Sequence, residues 1–257
     1  MNSLGSKIKA YRVESKLSQL ELGDMLCVSD KTISSWENDR TIPDINFIFQ
    51  MAKIFHTSFY ALAYEDYCNL NNVELGAQNV SKDEIGAHTG EIAATQLASL
   101  NVKYCIVGHS ERRQELSETS EDTNLKIKKL FAQNIIPILC VGETKEEKES
   151  KKTISLIKEQ IEVAIKDLSE EEKNKIIIAY EPIWSIGTGL IPTIEDIDVV
   201  LSLIKGLLPK ANTLYGGSAN EENIDYLKTS KLIDGYLLGG LSLKPEKLKI
   251  FIEKAEK

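Results

Sequence analysis

Ala179-Tyr180-Glu181-Pro182-Ile183-Trp184-Ser185-Ile186-Gly187-Thr188-Gly189-Leu190-Ile191-Pro192-Thr193 is the stretch on which the fold turns. An apolar run over 176–179 leads into the carboxylate of Glu181 and then Pro182. A loop containing Gly187 and Gly189 follows, closed by Pro192, and a helical pattern starts at Thr193. This order predicts a buried strand that delivers Glu181 to its C-terminal end, then a loop with rigid ends and a glycine-containing tip, as in a hinged lid. A carboxylate at a strand end beneath a lid is a candidate general base, because closure that expels water makes a carboxylate more basic. An ordinary solvated strand terminus is the alternative reading of the same residue.

Outward from this stretch, short apolar runs alternate with long amphipathic ones from residue 73 onward, the pattern of repeated β/α units on a parallel sheet. Six strands are predicted, over 73–80, 103–107, 135–141, 176–181, 213–215 and 235–238. The charge-rich segment 144–167 reads as a single solvated helix.

The motifs between these strands come in an informative order. They are Glu74-Leu75-Gly76-Ala77-Gln78-Asn79, Gly86-Ala87-His88-Thr89-Gly90-Glu91 and Val107-Gly108-His109-Ser110-Glu111-Arg112-Arg113, then Cys140-Val141-Gly142-Glu143, the lid stretch, Tyr215-Gly216-Gly217-Ser218 and Asp234-Gly235-Tyr236-Leu237-Leu238-Gly239-Gly240. Together they resemble the triosephosphate isomerase family from about residue 73 to the end. The resemblance implies a catalytic set of Glu181 as base, His109 as a neutral electrophile at the substrate carbonyl and Glu111 as a supporting carboxylate. It also implies that Gly187, Ser218, Gly239 and Gly240 hold the substrate phosphate. Glycines there let backbone N–H groups approach an anion closely, and phosphates in such barrels sit among the loops after the seventh and eighth strands. The 86–91 motif matches the loop with which this family grips its dimer partner, so a homo-oligomer is expected.

A full barrel of this kind takes about 250 residues, or about 31 per unit. Only 185 residues run from Val73 to Lys257, so two units are missing and with them the family's first-strand Asn-x-Lys element. Its lysine neutralises the phosphate and the developing enediolate. Asn101-Val102-Lys103 and Asn124-Leu125-Lys126 have that spacing, but one precedes its strand and the other falls in a helical stretch. Loss of such a cation costs several kcal/mol of transition-state stabilisation.

Residues 1–66 are of another kind, with short helical patterns and no alternating ones. Ser18 and Ser29 are candidate helix caps, Glu21 completes a capping box with Ser18, and Ile33 and Trp36 share a face. The run Ser18-Gln19-Leu20-Glu21-Leu22-Gly23, then Val28-Ser29, Thr32-Ile33-Ser34 and Trp36-Glu37-Asn38, then Pro43, resembles the Cro/repressor-type (XRE) helix-turn-helix family. This resemblance implies that Gln19 holds a DNA phosphate, that Lys31, Thr32 and Ser35 face base edges of duplex DNA, and that Arg12 pairs internally with Glu37. A helical bundle used for protein contacts is the alternative. Seven Lys/Arg against nine Asp/Glu in residues 1–66 make any DNA binding weak unless the protein dimerises.

The expected architecture is α/β: an all-α helix-turn-helix domain over 1–66 followed over 67–257 by an incomplete (β/α)8 TIM barrel retaining about six units. Three readings of function remain open: a metabolite-responsive DNA-binding protein with a degenerate isomerase domain, an active isomerase whose lysine comes from elsewhere, Lys7 and Lys9 being the first to examine, or a non-functional fusion. A hydrophobic content of 42% supports a sizeable core, and the formal charge of -8 excludes a generally basic nucleic-acid binder. Cys27, Cys68, Cys105 and Cys140 form no C-x-x-C pair and are expected to be reduced core thiols, with neither a metal site nor a disulfide framework. No cofactor is implied. Apolar runs too short to span a bilayer and an N-terminus unlike a signal peptide lead us to expect a cytoplasmic protein without a membrane partner.

Overall fold

A computed structural model describes residues 3–58, 61–62 and 73–256. The chain divides into two compact units, Met1–Glu74 and Leu75–Lys257. The boundary expected at 66/67 lies outside the described residues, as do Cys68 and most of the second helix of the closing pair predicted after Pro43.

The first unit contains the helices α1 (Leu4–Glu14), α2 (Gln19–Leu26), α3 (Asp30–Glu37) and α4 (Ile45–Ile54). Both predicted caps form. Ser18 and Glu21 make the reciprocal capping box on α2, and the Ser29 side chain accepts the Thr32 N–H on α3. Ile8, Leu22, Ile33, Ile48 and Met51 form the fully buried core, with Trp36 against Phe47 at a ring separation of 5.1 Å. The expected ion pair is present: Arg12 Nε lies 2.5 Å and Nη2 3.0 Å from the two carboxylate oxygens of a buried Glu37. Cys27, expected in the core, is exposed instead, because it occupies the left-handed turn that ends α2.

The second unit is one parallel sheet in sequence order, β1 (Gly76–Ala77), β2 (Tyr104–Val107), β3 (Ile136–Val141), β4 (Ile177–Tyr180), β5 (Asn212–Tyr215) and β6 (Gly235–Tyr236). All six predicted strands appear, and the sheet is an incomplete TIM barrel. β1 and β6 are its edges. Each has one neighbour and pairs over two residues only, which is why β1 is far shorter than the expected 73–80.

Strand periodicity sorts the side chains. Cys105, Val107, Leu139, Val141, Ile178 and Tyr180 are buried with Ile127, Leu130, Ile157, Ile161, Ile197 and Leu201 of the covering helices in one hydrophobic cluster. Their alternates Tyr104, Ile106, Ile136, Ile138 and Ile177 are only half-buried, as expected of a bore that the open sheet does not close. The segment read as one solvated helix over 144–167 is two helices, Lys145–Glu149 and Thr153–Ala164. The second buries Ile157, Gln160, Ile161 and Ala164. The many charges of this segment hid an apolar stripe at helical spacing.

Candidate active site

Because every strand is parallel, all the C-terminal ends meet at one rim of the sheet, and a cleft of about 870 Å³ opens there. His109, Glu111, Glu181, Gly187, Ser218, Gly239 and Gly240 all line it, so residues far apart in sequence are brought together in the second unit.

Glu181 directly follows β4, where its N–H donates to the Val141 carbonyl at 2.8 Å. Its side chain is only 3% exposed, which rejects the reading of a solvated strand terminus. One carboxylate oxygen accepts the Ser110 N–H at 3.1 Å, and the other lies 3.0 Å from His109 Nε2. Residue 142 must be glycine for this approach, since a Cβ there would collide with the Glu181 carbonyl.

His109 caps the helix Ser110–Glu115, and its Nδ1 accepts the Glu111 N–H at 3.3 Å, which favours a neutral ring carrying its proton on Nε2. The hydrogen bond to Glu181 works the other way, raising the His109 pKa above its ordinary value against the lowering effect of desolvation. At 3.0 Å, this hydrogen bond is the largest influence on the ring. The Glu111 N–H meets His109 Nδ1 at 3.3 Å, and the Glu111 carboxylate, 75% exposed, lies 3.8 Å from the same nitrogen and adds a smaller upward pull on the ring after Glu181.

Behind His109 lies a network that the sequence did not reveal. Glu118, with a side chain 4% exposed, accepts Lys126 Nζ and Arg112 Nε, each at 2.5 Å, and the Gly108 N–H at 3.0 Å. Lys126 also donates to Asn79 Oδ1 at 2.8 Å. Arg113 ties the Gly108 carbonyl at 2.7 Å to the Cys140 carbonyl at 3.4 Å. These bonds fix the backbone turn from which His109 projects. Burial alone would raise the Glu118 pKa, but hydrogen bonds from Lys126 and Arg112 hold it below the usual carboxylate range.

The lid begins with a 3-10 turn, Ile183–Ser185. Trp184 Nε1 donates to Glu143 at 2.9 Å, the Tyr180 hydroxyl donates to the same oxygen at 3.2 Å, and Lys148 lies 3.8 Å from the Trp184 ring centroid. Ser218 Oγ donates to the Ser185 carbonyl at 2.5 Å. The base of the lid is therefore pinned, while Gly187, at φ 70°, supplies a left-handed turn near its tip. Burial raises the Glu143 pKa, and its second oxygen has no partner among the described residues.

Lys103 and Lys126, the lysines with the sought spacing, do not line the cleft. Among the described residues its cations are Arg112, committed to Glu118, and Lys244 and Lys247, which follow β6. Sequence reasoning passed over the last two because they lie outside any Asn-x-Lys motif. No cluster of three or more His, Cys, Asp or Glu suited to a metal occurs among the described residues, and no helix there is long and apolar enough to cross a membrane.

In the helical unit, Gln19 opens α2 but donates its amide to Glu37 at 2.8 Å. The Thr32 hydroxyl is 2.9 Å from that of Ser29, and the Ser35 hydroxyl 2.8 Å from that of Thr41, so both are occupied locally. Lys31 is exposed on α3.

Fold and site thus define an incomplete β/α barrel with a carboxylate, an imidazole and glycine-rich loops at its C-terminal rim. Residues 44–255 match the triosephosphate isomerase family model, and residues 8–62 match a helix-turn-helix model. The matches overlap over 44–62, yet α4 buries its apolar residues in the core of the helical unit, so we assign that stretch to the helical unit. A triosephosphate isomerase of Mesomycoplasma hyorhinis is 49% identical over 177 residues, covering 68% of this chain and 72% of the relative. One from Clostridium botulinum (strain Langeland) is 44% identical over 185 residues, covering 68% and 75%, and one from Dictyoglomus turgidum 45% over 183 residues, covering 68% and 74%. The crystal structure of the Bartonella henselae triosephosphate isomerase superposes with a TM-score of 0.67 at 30% identity, over 75% of this chain and 82% of that one. The chain belongs to the triosephosphate isomerase family and carries a helix-turn-helix domain ahead of the barrel unit.

Proposed function

We propose that the barrel unit binds a triose phosphate, or a similar small phosphorylated anion, with little isomerase activity, and that the helical unit binds duplex DNA, so that the protein acts as a metabolite-responsive transcriptional regulator. The observation that carries the ligand reading is the convergence of Glu181, His109 and the loops bearing Gly187, Ser218, Gly239 and Gly240 on one cleft. In this reading Glu181 and His109 face the carbonyl end of the ligand, Glu111 steadies the ring through its N–H, and the glycine loops face the phosphate. The protein is cytoplasmic in this reading and assembles as a homo-oligomer. An active isomerase is the rival reading, favoured by the direct contact of Glu181 with His109.

Ligand binding closes the lid in this account. Hydrogen exchange of residues 182–192 slows when 2-phosphoglycolate is added to saturation, and unchanged exchange rejects the site.

For the helical unit we expect weak, strongly salt-dependent binding of duplex DNA. Lys31→Ala shifts the enriched sequence if Lys31 reads a base, or lowers affinity uniformly if it meets a phosphate. Gln19→Ala lowers affinity as well. A random-duplex selection that enriches nothing, with Lys31→Ala indistinguishable from the parent, makes the unit a protein-contact module.

A further inference from the structure

The end of the cleft formed after β6 carries its own cations. The 3-10 turn Gly240–Leu243 leads into Lys244 and then into the helix Pro245–Ala255, whose third residue is Lys247, and both lysines line the cleft beside Gly239 and Gly240. They are not equivalent. Lys247 is paired with Glu221, another lining residue, so its charge is partly offset. Lys244 is exposed and makes no side-chain hydrogen bond or ion pair among the described residues, although it lies near enough to Glu221 to help lower that carboxyl's pKa after the larger effects of Lys247.

A phosphate monoester brings nearly two negative charges into a cleft that already holds Glu111, Glu181, Glu221 and Glu222. Backbone N–H groups supply only partial charges, so a full cation that no carboxylate has claimed adds to the hold on an anion entering this cleft. Among the described residues that line the cleft, Arg112 is held by Glu118 and Lys247 by Glu221, which leaves Lys244.

Resting on the ligand reading above, we propose that Lys244 is the residue that compensates the phosphate dianion, and that Glu221 attenuates binding by holding Lys247 away from it. The charge is placed at the phosphate end and not at the carbonyl between His109 and Glu181. This arrangement supports binding without supporting turnover.

The test is calorimetric titration of the full chain with 2-phosphoglycolate, and with inorganic phosphate as a second probe. Lys244→Ala should weaken 2-phosphoglycolate binding about tenfold or more, as loss of one charge-assisted contact does, and reduce its salt dependence. Glu221→Gln, which releases Lys247, should tighten binding several-fold, an outcome that damage to the fold does not produce. Parent protein that binds while both variants match it overturns this assignment and leaves the ligand reading standing. Parent protein that binds neither probe at millimolar concentration overturns both.

Discussion

Glu118→Ala is expected to lower the stability of the barrel unit by about 3–5 kcal/mol, the usual consequence of removing one partner from a buried ion pair. Lys126, with a side chain 4% exposed, would be left holding an ammonium whose remaining partner among the described residues is a neutral amide, Asn79, and Arg112 would lose its carboxylate too. In a unit of this size the midpoint of thermal unfolding should fall by roughly 10 °C. Lys126→Met added to Glu118→Ala should recover part of the loss, because it removes the stranded charge. The pH dependence has a definite sign. The folded-state pKa of Glu118 is depressed by its hydrogen bonds, so its contribution is present above the unfolded value and is lost as pH falls through the folded one, below the ordinary carboxylate range. A loss under 1 kcal/mol, or one equally large at acid pH, contradicts this account of the network.

The second large effect is catalytic. Turnover of glyceraldehyde 3-phosphate is expected to be at least a thousandfold below that of ordinary family members. Proton transfer between adjacent carbons needs a base, an electrophile at the carbonyl and charge compensation for the developing enediolate. Glu181 and His109, 3.0 Å apart, suit the first two roles. For the third, the lining cations among the described residues are tied to Glu118 or lie beyond β6. Loss of one preorganised donor at a developing oxyanion costs about 10²–10³ in rate, and a full cation in a desolvated site is worth more. The open sheet adds to the deficit, since β1 pairs over two residues only and Asn79 lies just beyond it, where small displacements of groups at the reacting centre are costly.

The six strands were legible because buried parallel strands read as short apolar runs ending in motif residues, and periodicity needs no knowledge of neighbours. Glu181 and His109 were legible as residues closing such runs, but their roles came only from the family resemblance of the motifs around them. What stayed hidden depends on partners remote in sequence. Nothing local to Lys126 reveals that its long side chain reaches Glu118 and Asn79 in the interior. Nothing local to Gln19 shows that Glu37 takes its amide, and nothing local to Glu111 shows that its N–H meets His109. Lys244 and Lys247 were passed over because the cleft is assembled from loops, and a search by motif spacing looks along the chain and not across it.

The most direct test of the central claim is an isomerase assay on protein prepared free of host isomerase, with Glu181→Asp as the control. The account predicts turnover at least a thousandfold below ordinary family members in a preparation that still binds 2-phosphoglycolate. Activity near that of an ordinary triosephosphate isomerase, abolished by Glu181→Asp, would contradict it.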